Sequence, residues 1–314
     1  MCCLFGMVNY SGMKNPIADS LVNYLAQEAT VRGMHSTGIA YNKNDRLVVY
    51  KRPKNAFEMD FKGLSECICV TGHTRHATQG SYKNNYNNHP FYGTCDNARF
   101  ALAHNGVLWN DKSLRKRYDL PKVKVETDSY ISVQLLEDFG TLDTNSISRM
   151  AEMVQGSFTF SILDSSDTLW LVKGDNPLSI IHFPQLELYV YASTTNILFT
   201  AISQTDLVTD IANGDFEMIT VKSGDILTID KHGVRNTYRF DFDEYGGWGW
   251  NWQTYTAPVN NYFEDEYEAQ YLDTLKVVAR GMGFDDDDIM ELYQGGYTLD
   301  EIEDFIYSFY PNRR

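Results

Sequence analysis

Eleven short apolar runs, most of them alternating, punctuate residues 4–229 and leave little choice of architecture. They fall at 4–10, 38–41, 47–50, 67–72, 100–103, 157–163, 169–173, 178–182, 188–192, 218–221 and 226–229. Runs of this length with period two are strand signals, whereas a period of 3.6 marks a helix. Helical spacing appears in only three stretches of this region, 17–32, 128–139 and 146–154. Asn15-Pro16 precedes the first of these, Gly33 follows it, and Gly140 follows the second, all plausible start or stop signals. Many strands with a few long helices between them predict an α+β chain in which helices cover sheets, not an all-β barrel.

Composition narrows the class. A chain of 314 residues with 43% hydrophobic and 14% aromatic content can build one large domain and a smaller one. Its formal charge of −15 argues against a basic nucleic-acid-binding surface. No apolar run approaches the roughly 18 residues that span a bilayer, and Met1-Cys2-Cys3-Leu4-Phe5-Gly6 has neither the positive flank nor the length of a signal peptide. Five scattered cysteines do not make a secreted disulfide framework. A cytoplasmic protein with reduced thiols and no membrane contact is expected.

The charge is unevenly placed. Residues 241–314 hold four basic and seventeen acidic side chains, which leaves −2 for residues 1–240. Such asymmetry suggests two units with different jobs. The expected organisation is a main domain over 2–240, an aromatic and Gly-rich linker over 241–262, and an acidic three-helix module over 263–314. In the module, helical spacing covers 264–280 and 285–293. Thr298-Leu299-Asp300-Glu301 then forms a capping-box pattern before a third helix. Asp285 to Asp288 reads as a helix start favoured by the dipole; it lacks the spacing of a calcium loop, so no metal is expected there. Trp248, Trp250 and Trp252 would show one indole face if extended, either strapped to the main domain or docking a partner. The acidic module offers a surface for a basic protein partner.

Chemistry centres on Cys2. Removal of Met1 would put a thiol and a free α-amine on one residue. An amine with a pKa near 7.7–8.0 is matched to take the thiol proton and return it to a leaving amine, so one residue can supply nucleophile and base. The competing reading is that Cys2 and Cys3 merely begin a buried strand. Other segments add to the first reading. Gly72-His73-Thr74-Arg75-His76-Ala77-Thr78-Gln79-Gly80 leaves a strand and enters a polar loop, where a guanidinium can clamp a carboxylate. His104-Asn105-Gly106 follows an apolar strand, and an Asn amide beside a Gly N–H suits an oxyanion hole. Glu126-Thr127-Asp128-Ser129 opens a helix; Asp128 can pair with an ammonium or serve as a first-turn acid. Arg32-Gly33-Met34-His35-Ser36-Thr37-Gly38 reads partly as a helix cap and turn.

Together these segments resemble the class II glutamine amidotransferases, whose glutaminase domain is an N-terminal-nucleophile hydrolase. Cys2 to Gly6 is similar to the family's Cys-Gly-Ile-Phe-Gly opening, and Arg32 to Gly38 to its Arg-Gly-x-Asp-Ser-x-Gly segment. Gly72 to Gly80 is similar to Gly-His-Thr-Arg-Trp-Ala-Thr-x-Gly. His89-Pro90 matches an Asn-x-His-Pro motif, His104 to Gly106 the His-Asn-Gly, Thr127-Asp128 the Thr-Asp, and Gly174 to Leu178 a Gly-x-x-Pro-Leu turn. The resemblance covers most of residues 2–230. It implies a four-layer αββα sandwich and hydrolysis of L-glutamine to glutamate and ammonia, without cofactor or metal.

The same resemblance implies the roles of individual residues. Cys2 attacks the side-chain amide, while Asn105 and Gly106 hold the oxyanion. Arg75 takes the α-carboxylate and Asp128 the α-ammonium, and Thr78 and His89 complete the substrate site. Residues 241–314 show no phosphate-binding, sugar-isomerase or ATP-binding pattern, so an ammonia-accepting synthase is expected on another polypeptide. Four departures stand out: Cys3 replaces a glycine, His35 an aspartate and His76 a tryptophan, and Gln79 sits where some members have histidine. Cys67, Cys69 and Cys95 read as structural. Two other readings remain open, an N-terminal-nucleophile hydrolase of another amide and a retired fold kept for interaction.

Overall fold

A computed structural model describes residues 2–242 together with 272, 276, 279, 280, 284–294 and 302. The chain divides into two compact units, 1–248 and 249–314.

Among the described residues of the first unit, thirteen strands lie in two antiparallel sheets. The first sheet runs β11 (Glu217–Ile219), β9 (Ser179–Phe183), β10 (Leu188–Ala192), β1 (Cys3–Asn9), β4 (Cys69–Arg75), β2 (Ser36–Lys43) and β3 (Arg46–Arg52). The second runs β13 (Arg235–Arg239), β12 (Asp225–Ile229), β8 (Leu169–Lys173), β7 (Gly156–Asp164), β6 (Arg99–Leu108) and β5 (Phe91–Thr94). Side-chain alternation builds three cores from these sheets. In β1, Cys3, Phe5 and Met7 face α1 (Ala18–Glu28) and α5 (Thr195–Ser203), whereas Leu4 and Val8 face the second sheet. α3 (Tyr130–Phe139) and α4 (Thr144–Met153) cover the outer face of that second sheet. The layers are therefore helix, sheet, sheet, helix, as the apolar pattern and the resemblance predict. Because β1 is buried on both faces, it reads as a nearly continuous apolar run, and each fully buried Leu or Phe stabilises the fold by about 1.5–3 kcal/mol.

Several local expectations need correction. His104, Asn105 and Gly106 do not follow the strand; they lie inside β6, which stays paired with β7 as far as Leu108. Arg75 likewise closes β4 and does not stand in the loop. α1 stops at Glu28, one 3-10 turn (Ala29–Val31) continues it, and Gly33 is not a left-handed cap. A Cβ at Gly33 would lie 2.8 Å from backbone atoms of Thr74 and Arg75, so glycine there permits close packing against β4. Strands β5 and β13 and the helices α2 (Asp111–Arg117), α5 and α6 (Val208–Asn213) carry no strong periodic signal and are additions to the predicted elements.

In the second unit, α7 (Asp286–Gln294) begins one residue after the predicted start. Leu272, Ala279, Ile289 and Ile302 form a small buried cluster there. The Trp248, Trp250 and Trp252 strip, most of the predicted 264–280 helix and the Thr298 capping box lie outside the described residues.

Candidate active site

Strand register brings Cys2, Arg75 and Asn105 to one end of the inter-sheet layer. Cys3 pairs with Thr74 and Leu4 with His73. One further step along the same register sets Cys2 opposite Arg75, and residues so paired share a sheet face. That is the face of Leu4, which looks toward the second sheet. From that second sheet Asn105 projects on the same side as Ala101 and Ala103. Hydrogen bonds close the gap: Asn105 Nδ2 lies 3.4 Å from Ser193 Oγ, which accepts the Leu4 N–H at 2.8 Å.

Cys2 is partly buried, and its thiol points to the His76 carbonyl at 3.6 Å. Its own carbonyl accepts from Arg32 Nε at 3.2 Å. Cys3, by contrast, is fully buried on the helix side, and burial raises its pKa. Adjacent thiols on a strand thus face opposite ways, so the cysteine that departs from the motif does not enter the site. Cys67, Cys69 and Cys95 are all buried, Cys67 and Cys69 on opposite faces of the sheet, and burial raises all three pKa values.

Gly106 has φ +139°, and a Cβ there would sit 2.0 Å from the Ser157 carbonyl oxygen. Only glycine suits this backbone. Its cross-strand partner Phe158 spends its own N–H on Asp175 Oδ1 (2.8 Å) and its carbonyl on Gly174 N–H (3.1 Å), both toward β8. The Gly106–Phe158 pair is therefore a non-hydrogen-bonded one, and the Gly106 N–H stays outside that ladder. Beside it, Asn105 is fully buried and its Oδ1 has no partner.

Arg75 is 3% exposed and heavily engaged. Nη1 donates to Asn88 Oδ1 at 2.9 Å, and Nη2 donates to the Gln79 and Gly80 carbonyls. Burial lowers its pKa, while the negative charges of Cys2 and Asp128 work in the opposite sense. Asp128 is equally buried and accepts the Leu108 N–H at 2.6 Å; desolvation pushes its pKa up to about 6. It does not cap α3 through its side chain but ties the start of that helix to the end of β6. Thr78 lies exposed in the loop after β4. His89 is not at an open surface: it is 3% exposed and packs in tilted ring contacts, with centroids 4.2 Å from His73 and 4.3 Å from Phe91. Both of its ring nitrogens lack partners, and burial holds its pKa well below the usual histidine range.

Several supporting roles escaped the sequence reading. His104 stacks on Phe160, with Nδ1 2.8 Å from Ser129 Oγ and Nε2 3.3 Å from the Ser157 carbonyl. A carbonyl can only accept, so Nε2 carries the proton and Nδ1 accepts from the serine. Burial pushes this histidine down to about 3, keeping it neutral. Lys51 is half-buried and donates to the Asn88 and Pro90 carbonyls, the latter at 2.9 Å; desolvation lowers its pKa to about 8. Asn87 and Asn88, both fully buried, come from the Asn-rich stretch 84–88. Asn87 is the Asn of the Asn-x-His-Pro motif, whereas Asn88 stands at its x and carries no motif signal. Among the described residues, no cluster of three or more His, Cys, Asp or Glu is disposed to hold a metal.

Paired antiparallel sheets between helices, with the leading cysteine at the end of a central strand, define the N-terminal-nucleophile hydrolase class of fold. Residues 73–201 match the glutamine amidotransferase domain family. Glutamine--fructose-6-phosphate aminotransferase [isomerizing] of Staphylococcus aureus is 28% identical over 261 residues, covering 77% of this chain and 40% of that protein. The enzyme of the same name from Staphylococcus epidermidis is 30% identical over 191 residues, 57% of this chain and 30% of that one. Glutamine phosphoribosylpyrophosphate amidotransferase from B. subtilis has a similar fold, with a TM-score of 0.61 at 24% identity over 77% of this chain and 50% of that one. This chain carries a glutamine amidotransferase domain over residues 73–201 and is similar in sequence and fold to the class II glutamine amidotransferases. It spans about 40% of the length of the first of these curated relatives.

Proposed function

We propose that residues 2–240 form a glutaminase domain that hydrolyses L-glutamine, with the Cys2 thiol as nucleophile. The thiol attacks the side-chain amide carbon, the carbon–nitrogen bond breaks, and ammonia leaves with a proton delivered by the Cys2 α-amine once Met1 is removed. Water then cleaves the thioester to give glutamate. Asn105 Nδ2 and the Gly106 N–H receive the oxyanion, a contribution of about 3 kcal/mol per donor in comparable sites. Arg75 takes the α-carboxylate, Asp128 the α-ammonium, and the loop carrying Thr78 encloses them. His89 acts at one remove, as packing beneath His73.

The observation that carries this reading is the convergence of Cys2, Arg75, Asn105, Gly106 and Asp128 at one end of the inter-sheet layer. A zwitterionic amide substrate needs an anion, a cation, a nucleophile and an oxyanion site together, and this set supplies them. Ammonia then passes to an acceptor on a synthase partner, as the names of the relatives suggest for their own reactions. The acidic module at 263–314 serves a basic protein partner, and the cytoplasm is the compartment that fits free thiols. Among the described residues no helix is long and apolar enough to cross a membrane.

The test is turnover of glutamine against other amides, with mass spectrometry of the mature N-terminus. Cys2→Ala should abolish glutamate release and labelling by a glutamine-like diazo-ketone without lowering the melting temperature. Equal turnover of unrelated amides, or intact Met1 in active protein, would overturn the proposal.

A further inference from the structure

Two departures from the family motifs meet each other in space. His35 stands where the pattern has aspartate, and His76 where it has tryptophan. Their rings are stacked, with centroids 4.4 Å apart and planes inclined by 27°. Tyr82 stacks on the same His35 ring at 4.8 Å and 14°. His35 is also tied to the backbone beside its partner. Its N–H donates to the Arg75 carbonyl at 2.9 Å, and its Nδ1 accepts the Ala77 N–H at 3.0 Å. The His35 backbone thus holds the loop before residue 76, while its imidazole holds residue 77 by a hydrogen bond and residues 76 and 82 by stacking.

The gripped loop touches both halves of the proposed site. The His76 carbonyl faces the Cys2 thiol, and the Gln79 and Gly80 carbonyls accept from Arg75 Nη2. Gln79 Nε2 adds a 2.8 Å bond to the Glu126 carbonyl, two residues before Asp128. An aspartate at 35 would keep an acceptor for the Ala77 N–H but present no ring face. An imidazole does both, which accounts for the two replacements occurring together. Burial lowers the pKa of both histidines, His76 to about 3, so the stacked rings are neutral and do not repel.

We propose that His35, His76 and Tyr82 form a three-ring clasp, made of positioning residues, that sets the residue 76–82 loop over Cys2 and Arg75 and thereby governs how tightly glutamine is held. The inference rests on the glutaminase reading above, and its test has one arm that needs no activity.

The first arm is hydrogen exchange of the full chain without substrate. The Ala77 amide should lose protection in His35→Ala, in His35→Phe (ring kept, acceptor lost) and, through the stack, in Tyr82→Ala, while β4 amides stay protected. The second arm is kinetic. His35→Ala and His76→Ala should each raise KM for glutamine about tenfold with kcat changed less than about twofold. The double variant should be no worse than either single, because the rings act as one unit. The paired replacement His35→Asp with His76→Trp should recover most of the affinity. Unchanged exchange at Ala77 in the variants, or KM effects that multiply to about a hundredfold in the double, would overturn the clasp. If the wild type fails to hydrolyse glutamine but the exchange pattern holds, the glutaminase reading falls and the clasp stands. Should His35→Ala fold poorly, His35→Phe, which loses the acceptor, carries the exchange arm, and His35→Asn, which keeps an acceptor but no ring, carries the kinetic arm.

Discussion

Arg75 and Asn88 are joined by a 2.9 Å hydrogen bond from the guanidinium Nη1 to the carboxamide Oδ1. With the Gln79 and Gly80 carbonyls on Nη2, the guanidinium plane is fixed before any substrate arrives. Its remaining donors are oriented by that plane, which a lysine ammonium cannot reproduce. Arg75→Lys should weaken glutamine binding about tenfold or more, equivalent to ~1.4 kcal/mol. Calorimetric titration in a Cys2→Ala background checks it, and unchanged affinity would remove Arg75 from the carboxylate site.

Lys51 holds the same Asn88 from its other side, through the backbone carbonyl, while its ammonium lies 4.9 Å from the centre of the Phe91 ring. Lys51→Met keeps the apolar stem but leaves the Asn88 and Pro90 carbonyls without their donor. Losing a buried partner costs about 1–3 kcal/mol, so urea denaturation should show a destabilisation in that range. The pH dependence has a definite sign. Folding lowers this lysine from 10.5 to about 8, so its contribution is greatest above 10.5 and is lost as pH falls through 8. Wild type should therefore gain stability relative to the variant as pH rises from 8 toward 10.5.

Asp128 titrates in the opposite direction. Burial raises its carboxyl from 3.8 to about 6, so its contribution to stability is fully present below 3.8 and is lost as pH rises through 6. Substrate binding needs the ionised form to meet an ammonium. Glutamine affinity of a Cys2→Ala variant should thus fall about tenfold per pH unit below about 6. Asp128→Asn should bind weakly at every pH and show no such limb; a limb that survives in the variant would assign it elsewhere.

The sequence made the two sheets legible because their strands carry period-two apolar runs, and β8 and β10 match their predicted bounds residue for residue. It hid β13 because all five of its residues are exposed, so no alternation marks it. It hid α2 because Leu114 is its one buried apolar anchor among charged neighbours. In the site, the residues expected to meet substrate were readable as motifs. Their supporting roles were not: Lys51, Ser129 and Ser193 lie far along the chain from what they hold, and only the tertiary fold brings them there. His35 and His76 stood out as isolated departures, and nothing in a linear reading says that two such rings touch.

Gly106 is where backbone and chemistry are least separable. Its φ of +139° lies where side chains are strained, and a Cβ would approach the Ser157 carbonyl oxygen to 2.0 Å. Gly106→Ala must either move β6 away from β7 or turn the residue to negative φ. Both redirect its N–H and shift Asn105, the neighbouring donor. Because β6 continues to Leu108, whose N–H binds Asp128, the disturbance also reaches the ammonium site. Loss of one oxyanion donor costs about a hundredfold or more in kcat, and here both donors and Asp128 are displaced. The variant should lose kcat by at least that factor and also lose affinity, with a melting temperature below that of Cys2→Ala. A Gly106→Ala protein with wild-type kcat would show that the oxyanion is held elsewhere.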